Sequence, residues 1–306
     1  MILSVSRRTD IPAFYSTWFI NRVREGFVFV RNPMNYHQVS KVRISPDVVD
    51  CIVFWTKNAL SITQYLDEIS ENYQFYFQYT LNSYDKELEM GIGALERRIE
   101  NFMFLAEKYG SKRIIWRYDP IVLNEKYTVD WHISKFSALA NRLKGAVSDC
   151  VISFVDLYSK VLKNLKGLNV QDFSENDIKK IAIAFSAISR ENNFRISTCA
   201  EKVELQEYGI THSCCVSSRL ITDLVGRKLS AKKDANQREE CGCVESIDVG
   251  QYNTCRHGCK YCYANFNQKS VDTFFKRHDP NSPFLVGNSE PEDKVTERKV
   301  KSLKLF

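Results

Sequence analysis

The chain has 306 residues, of which 44% are apolar and 12% aromatic, and its formal net charge is +6. This composition can build a substantial buried core, and it excludes a disordered or collagen-like chain. No apolar stretch approaches the roughly 20 residues that span a bilayer, and Met1 leads into Arg7 and Arg8 rather than into a secretory leader. We therefore expect a cytoplasmic protein that does not enter a membrane.

Short apolar runs alternate with amphipathic helical patterns along the chain. The predicted strands cover residues 2–6, 51–56, 75–81, 113–118, 150–155, 195–199, 212–216 and 246–249. Several of these runs are apolar almost throughout, which is typical of parallel strands covered on both faces. Helical patterns cover residues 88–109, 130–144 and 177–191. Eight strands alternating with helices predict a (β/α)8 TIM-like barrel, with an open or partial α/β barrel as the alternative.

The predicted barrel is a single domain that covers residues 1–278. Apolar and polar positions alternate on either side of Pro33, which indicates a hairpin inserted at about residues 27–44. A cysteine-rich region follows at residues 199–262. Beyond it the composition shifts to Asp, Pro, Asn, Ser and Glu and then to Lys, so residues 279–306 are predicted to be an extended C-terminal tail.

The ten cysteines are unevenly distributed, because all except Cys51 and Cys150 lie at or after residue 199. A reducing cytoplasm argues against a disulfide framework in a chain of this size. The clustering therefore favours metal binding. Cys51 and Cys150 lie inside apolar strands and are expected in the core.

Cys255, Cys259 and Cys262 form a C-x3-C-x2-C motif in a polar loop directly after the last predicted strand. Gly258, beside the middle cysteine, gives the backbone the freedom that a tight loop needs. Three thiolates are one ligand short of a closed zinc or cubane iron–sulfur site, and an open position is typical of a site for chemistry. The alternatives are a [4Fe–4S] cluster held by three corners and a zinc site completed by His257 or another residue.

This spacing, with Tyr261 just before the third cysteine, resembles the cluster motif of the radical S-adenosylmethionine superfamily. The resemblance implies that the three cysteines hold an open [4Fe–4S] cluster, that S-adenosylmethionine binds the fourth iron through its amino and carboxylate groups, and that Tyr261 lies near the adenine. It also implies reductive cleavage of S-adenosylmethionine to a 5′-deoxyadenosyl radical, which abstracts hydrogen from an unknown substrate. A low-potential electron donor of the flavodoxin or ferredoxin type would be the partner.

A second resemblance covers nearly the whole chain. It runs through residues 4–12 (SVSRRTDIP), 53–58 (VFWTKN) and 197–201 (STCAE), then Cys241-Gly-Cys243 and the C-x3-C-x2-C motif. These segments are similar to those of an uncharacterised bacterial family, a domain of unknown function noted for a cysteine cluster at its C-terminus. That family implies no particular reaction.

The position of the motif differs from that in the superfamily, where the cluster loop usually follows the first barrel strand. A closed barrel makes its first and last strands neighbours, so the late position reads as a circular permutation. The end of the first strand would then lie beside the cluster. Arg7 or Arg8 would pair with the methionine carboxylate, and Asp10 or a backbone carbonyl would accept from the amine.

Four further cysteines can form a second metal site. Cys199 ends one predicted strand, and Cys241 and Cys243 precede the last one. Adjacent strand residues face opposite sides, so only one of Cys214 and Cys215 can join them, and we prefer Cys215. Such a four-thiolate site fits an auxiliary [4Fe–4S] cluster or a structural zinc, and the alternative is a set of buried thiols packed as small apolar side chains.

Other polar side chains at the ends of predicted strands are candidate pocket residues, since several of them on one rim would form a binding site. They are Trp55, Lys57, Thr80, Asn82, Arg117, Asp119, Asp156 and Glu201. We therefore expect a radical S-adenosylmethionine enzyme. The alternatives are an iron–sulfur electron-transfer or sensor protein and a zinc-containing module that binds nucleic acid, although the chain has no basic stripe.

Overall fold

A computed structural model describes residues 1–305. The strands are β1 (Ile2–Val5), β2 (Phe27–Asn32), β3 (Asn35–Arg43), β4 (Cys51–Thr56), β5 (Phe75–Thr80), β6 (Ile114–Ile121), β7 (Asp149–Phe154), β8 (Arg195–Cys199), β9 (Thr211–Ser213), β10 (Ile247–Asp248) and β11 (Lys294–Arg298). The helices are α1 (Ile11–Phe14), α2 (Ser16–Glu25), α3 (Leu60–Thr63), α4 (Leu66–Asn72), α5 (Leu95–Tyr109), α6 (Val129–Arg142), α7 (Ser159–Asn164), α8 (Glu175–Glu191), α9 (Ser218–Val225) and α10 (Gln268–Lys276). Within these 305 residues, no helix is both long enough and apolar enough to cross a membrane.

Eight strands form one parallel sheet in the order β10-β1-β4-β5-β6-β7-β8-β9. In this sheet Ser4 of β1 lies between Asp248 of β10 and Val53 of β4. No ladder joins the edge strands β9 and β10 in residues 1–305, so the sheet is not a closed barrel. The edge strands β9 and β10 are only three and two residues long. In the chain between them, the Val244 amide donates to the Val216 carbonyl at 3.1 Å.

The two faces of the sheet are covered by different parts of the chain. Leu3 and Phe54 point to one side, where they join the core formed with the helices. Ile2 and Val53 point to the other side, where they pack against apolar residues of the segment 215–244. Covering both faces explains why the strands are apolar almost throughout.

The segment before α5 differs from its predicted structure. The sequence predicts a helix from residue 88, but α5 begins at Leu95. The preceding residues instead contact the loop that carries the C-x3-C-x2-C motif, because the Gly91 amide donates to the His257 carbonyl at 2.7 Å. A side chain at Gly91 would place its Cβ 2.5 Å from the Arg256 carbonyl oxygen, so glycine permits this approach.

A smaller sheet lies beside the main one. The hairpin of β2 and β3 is antiparallel, and β11 from the C-terminal segment pairs in parallel with β3. This segment also packs on α2, where Trp18 Nε1 donates to the Ser282 carbonyl at 3.0 Å. The predicted tail is therefore extended but packed on the rest of the molecule, and its last residue, Phe306, lies outside the described residues.

Candidate functional site

A cavity of about 360 Å³ lies at the carboxyl ends of the parallel strands. Its volume falls in the range of small-molecule sites, and its position is the usual one for ligands in parallel α/β sheets. Apart from Asn82, every predicted site residue lines it. These residues are Arg7, Arg8, Asp10, Trp55, Lys57, Thr80, Arg117, Asp119, Asp156, Cys199, Glu201, Cys215, Cys241, Cys243, Cys255, Cys259, Tyr261 and Cys262.

The cysteine loop (residues 255–262) brings three thiols to this cavity. Gly258 adopts φ +64°, in the left-handed region that glycine enters readily. The Lys260 amide donates to the Leu88 carbonyl at 3.0 Å, which fixes the loop against the segment before α5. Burial raises the pKa of the Cys255 and Cys259 thiols, so a metal bound there would displace their protons.

The Asp10 carboxylate joins three parts of the site. Its Oδ1 accepts from the Ala13 amide at 2.9 Å and from the Thr56 hydroxyl at 2.8 Å. Its Oδ2 accepts from the Lys57 amide at 2.7 Å and lies 2.7 Å from Nε2 of His257. Four protein groups already occupy the Asp10 carboxylate, so its role is to anchor the cysteine loop. The other predicted acceptors for a ligand's amine are backbone carbonyls.

The two arginines after β1 point to different parts of the cavity. The Arg7 guanidinium lies 5.1 Å from the Trp55 ring centroid and close enough to Cys243 to interact with its charge. Arg8 remains near the chain that follows β10, with Nη1 3.4 Å from the Gly250 carbonyl oxygen. Of the two, Arg8 is therefore the one that lies beside the chain leading into the cysteine loop.

Tyr261 and Lys57 lie on the wall beside Cys259. The Tyr261 hydroxyl donates to Glu89, and Lys57 Nζ lies 3.0 Å from Oε1 of the same carboxylate. The Lys57 ammonium is also 5.3 Å from the Tyr261 ring centroid. This cluster fixes the orientation of the tyrosine ring at the cavity wall.

The four-cysteine group (Cys199, Cys215, Cys241 and Cys243) lies on another side of the cavity. The sulfurs of Cys199 and Cys215 are 2.8 Å apart. Hydrogen bonds from Cys215 and then Cys241 lower the pKa of Cys243, which also accepts from the Val216 amide at 3.3 Å. The four residues thus belong to one packed cluster at the cavity.

Arg117 connects the four-cysteine group to the strand ends. Its Nη1 donates to Cys215 Sγ at 2.7 Å, and its Nε donates to Asp119 at 3.0 Å. Thr80 donates to the same carboxylate at 3.3 Å. Asn82 lies behind this layer, where its amide donates to the Asp119 carbonyl at 2.7 Å. It supports the cavity wall, and the prediction that it lines the cavity is wrong.

Two carboxyl groups complete the candidate pocket. Asp156 pairs with Arg238 at 2.6 Å. Glu201 accepts from the Phe154 amide at 2.8 Å, and burial raises its pKa to about 7. Glu201 can therefore hold or release a proton near neutral pH.

Several residues that shape the site were not predicted from the sequence. Asp248 accepts from the hydroxyls of Ser4 at 2.9 Å and Ser6 at 2.6 Å, which joins β10 to β1. The Tyr263 hydroxyl donates to the Arg7 carbonyl at 2.8 Å. An aspartate inside an apolar strand was the available signal for Asp248, whereas nothing in the sequence marks Tyr263.

The sulfur geometry tests which metal group these residues fit. In residues 1–305, the group of three ligand atoms that all lie within 4.8 Å of one another is His37, Glu290 and Asp293, and it contains no cysteine. A tetrahedral zinc with bonds of about 2.3 Å would hold its sulfurs about 3.8 Å apart. No three cysteine sulfurs lie that close together, which for the cysteine loop fits a cubane, whose ligands bind different irons. The sulfurs of Cys199 and Cys215, at 2.8 Å, are closer than the ligands of either metal group and would separate on binding one. Buried, unpartnered atoms of the cavity wall, Thr9 Oγ1 and His257 Nδ1, are available to a ligand.

Comparisons with known proteins give one result. A family model described as a domain of unknown function (DUF1848) matches residues 2–264. No curated protein and no solved structure is similar enough to the chain to count as a match. The matched segment begins in β1 and ends just after Cys262, so it includes every residue of both cysteine groups.

Proposed function

The chain belongs to the family described as a domain of unknown function (DUF1848), and from its site we propose that it is a radical S-adenosylmethionine enzyme. Cys255, Cys259 and Cys262 would hold a [4Fe–4S] cluster by three of its irons. Such a cluster, once reduced, would supply the electron for cleavage of the sulfonium C–S bond of S-adenosylmethionine, which gives methionine and a 5′-deoxyadenosyl radical. The observation that carries the proposal is an incomplete set of three thiols, all lining one cavity of small-molecule size.

The proposal includes a (β/α)8-like barrel that is permuted relative to the superfamily. Its support is the pairing of β10 with β1, since the cysteine loop follows β10. Counted from β10, the strands then follow one another around the sheet in chain order as far as β9. The strand before the cysteine loop would thus correspond to the first strand of the superfamily's barrel.

The chain's own residues would position the cofactor and shield it from water. Asp10 holds His257 and so fixes the cysteine loop against the ends of β1 and β4. Arg8 would pair with the methionine carboxylate, and Tyr261 would form a wall for the adenine, since both line the cavity. The strand ends from β5 to β8 would face the substrate, where Glu201 can hold a proton.

The reaction also needs an electron source and a reducing environment. We propose a flavodoxin or ferredoxin type of donor, because the cluster has to be reduced at low potential. A cytoplasmic location would keep the cysteine thiols reduced and able to bind metal. The substrate class is left open, since the cavity wall carries both cationic and carboxyl side chains.

The test is anaerobic reconstitution followed by reduction in the presence of S-adenosylmethionine. We expect iron and sulfide in the protein, a change in the electron paramagnetic resonance spectrum of the reduced cluster when S-adenosylmethionine is added, and formation of 5′-deoxyadenosine. The Cys255→Ala, Cys259→Ala and Cys262→Ala variants should each lose the spectral change and the formation of 5′-deoxyadenosine. Cys150→Ala is the matched control, since Cys150 is buried on the helical face of the sheet.

Two results would contradict the proposal. Zinc without sulfide would identify a structural metal and favour the nucleic-acid-binding alternative. Iron and sulfide with no spectral response to S-adenosylmethionine would favour an electron-transfer or sensor protein. The spectral response needs no substrate, so the experiment can be decided before the substrate is known.

A further inference from the structure

We infer that the four-cysteine group holds a second [4Fe–4S] cluster, coordinated entirely by protein thiolates. The inference goes beyond the proposed function and does not depend on it, because the group shares no ligand with the cysteine loop. The two sets of thiols line the same cavity. One set would have an open position and the other would be closed.

The first support is that chain segments distant in sequence bring the thiols together. Cys199 ends β8, Cys215 follows β9, and Cys241 and Cys243 precede β10. Cys215 Sγ lies 2.8 Å from Cys199 Sγ, and Cys243 Sγ accepts from the Val216 amide next to Cys215. All four residues belong to one packed cluster. Cys215, Cys241 and Cys243 are buried, so their thiols meet in the interior beside the cavity.

The structure also distinguishes Cys215 from its neighbour. Cys215 lines the cavity, whereas Cys214 does not. Cys214 instead packs on the turn between the last two cysteines of the group, since a Cβ at Gly242 would lie 2.6 Å from Cys214 Sγ. Glycine is needed at this position for Cys214 to fit, and Cys215 is left to face the cavity.

The sequence spacing within the group favours a cluster over a single zinc ion. In the described chain, no three of these sulfurs lie within 4.8 Å of one another, and Cys199 and Cys215, at 2.8 Å, would separate on binding a metal group. Cys241 and Cys243 are also separated by one residue, which is closer in sequence than the two to four residues typical of structural zinc.

Positive groups surround these thiols, as a cluster with four thiolate ligands and a net negative charge requires. Arg117 donates to Cys215 from a buried position, at 2.7 Å. The Arg7 guanidinium interacts electrostatically with Cys243 and Cys215, and its buried Nη2 has no hydrogen-bond partner. An anionic cluster would give this nitrogen a partner, because cluster sulfurs accept hydrogen bonds.

The test compares iron, sulfide and zinc in three anaerobically reconstituted proteins. We expect about eight iron atoms in the wild type, at about four per cubane. The variant with Cys255, Cys259 and Cys262 all replaced by alanine should keep about four iron atoms and should show no spectral response to S-adenosylmethionine. The Cys241→Ser/Cys243→Ser variant should also keep about four, and it should retain that response.

Controls make the outcome independent of folding and of the proposed function. Cys214→Ser should keep the wild-type iron content, since its side chain lies outside the group. If the Cys241→Ser/Cys243→Ser variant fails to fold, the iron content and spectrum of the triple alanine variant decide the question alone. Loss of all iron from the triple alanine variant would overturn the inference. So would one zinc per chain, or a disulfide between Cys199 and Cys215 after anaerobic reconstitution.

Discussion

His132 is fully buried in α6, between two hydrogen-bond partners. Its Nε2 lies 2.9 Å from the Val122 carbonyl oxygen, so this nitrogen carries the proton. Its Nδ1 then accepts from the Tyr118 hydroxyl at 2.9 Å. Burial lowers the pKa of His132 to about 4, which keeps the ring neutral over most of the pH range in which the protein folds.

This burial predicts a pH dependence of stability. The unfolded chain binds a proton at His132 below a pKa of about 6.5, but the folded chain does so only below about 4. Stability should therefore fall as the pH is lowered from about 6.5 to about 4, by about 3 kcal/mol in total. In urea unfolding at pH 7 and pH 4.5, His132→Gln should lose less stability on acidification than the wild type does. The control His212→Gln, at a partly exposed site, should lose as much stability on acidification as the wild type does. An identical loss of stability in all three proteins would contradict the prediction.

At the scale of elements, the contact between the ends of β1 and β10 positions the cysteine loop. Only two residues of β10 pair with β1, so side chains and close packing support the short ladder. The Arg7 amide and the Gly250 amide both donate to Asp248, at 2.7 Å and 3.0 Å. Gly250 packs directly on Ser6, so this position has no room for a side chain.

A methyl group at Gly250 should therefore separate the two strands. Its Cβ would lie 2.6 Å from Ser6 Cβ, so the backbone has to move. We expect Gly250→Ala to lower the free energy of unfolding by about 1–3 kcal/mol and, under the proposed function, to weaken S-adenosylmethionine binding to the reconstituted protein. Gly93→Ala is the matched control, since its nearest contact would be an ordinary 3.5 Å. Equal stability of the two variants would show that the strand ends do not need this close contact.

Elements with a strong local signal could be predicted from the sequence, and those defined by distant contacts could not. β4 and β7 are apolar almost throughout, and their predicted bounds differ by at most two residues from the observed ones. Residues 88–94 have helical spacing, yet their contacts with the cysteine loop keep them out of α5. β9 and β10 are shorter than predicted because the cysteines beside them turn towards the cavity.

The same distinction applies to the candidate site. The spacing of Cys255, Cys259 and Cys262 indicates metal chemistry without any structure, because the ligands belong to one loop. The contact between Asp10 and His257 could not be read in this way, since 247 positions separate them. Predicting it required the sheet order that makes β10 a neighbour of β1.

At the scale of the whole molecule, the C-terminal segment connects regions that the main sheet leaves apart. Asp293 pairs through both carboxylate oxygens with Arg31 of the hairpin, at 2.5 Å and 2.8 Å. Further along, the Leu303 amide donates to Asp50 beside β4 at 2.7 Å. The hairpin and the base of the main sheet are thus joined through one segment.

Removing the Asp293 charge should weaken this connection. Hydrogen bonds from Arg31 hold the pKa of Asp293 below its usual range, so its stabilising contribution is present above about pH 4 and is lost in acid. We expect Asp293→Asn to lower the free energy of unfolding by about 1–3 kcal/mol at pH 7, and the difference from the wild type to shrink below pH 4. Glu292→Gln, at the exposed neighbouring position, should have little effect. A difference that stays constant down to pH 2 would contradict this account.

The pairing of β1 with β10 also affects the order of events during synthesis. A ribosome releases β1 and Asp10 first, and the sheet can grow from β1 to β8 while the cysteine loop is still unmade. Until β10 emerges, one side of β1 is an unpaired strand edge, which can pair with other chains. A nascent chain therefore cannot hold the proposed cluster before its cysteine loop is made, and a chain that stalls before residue 247 should present an edge that chaperones and proteases recognise.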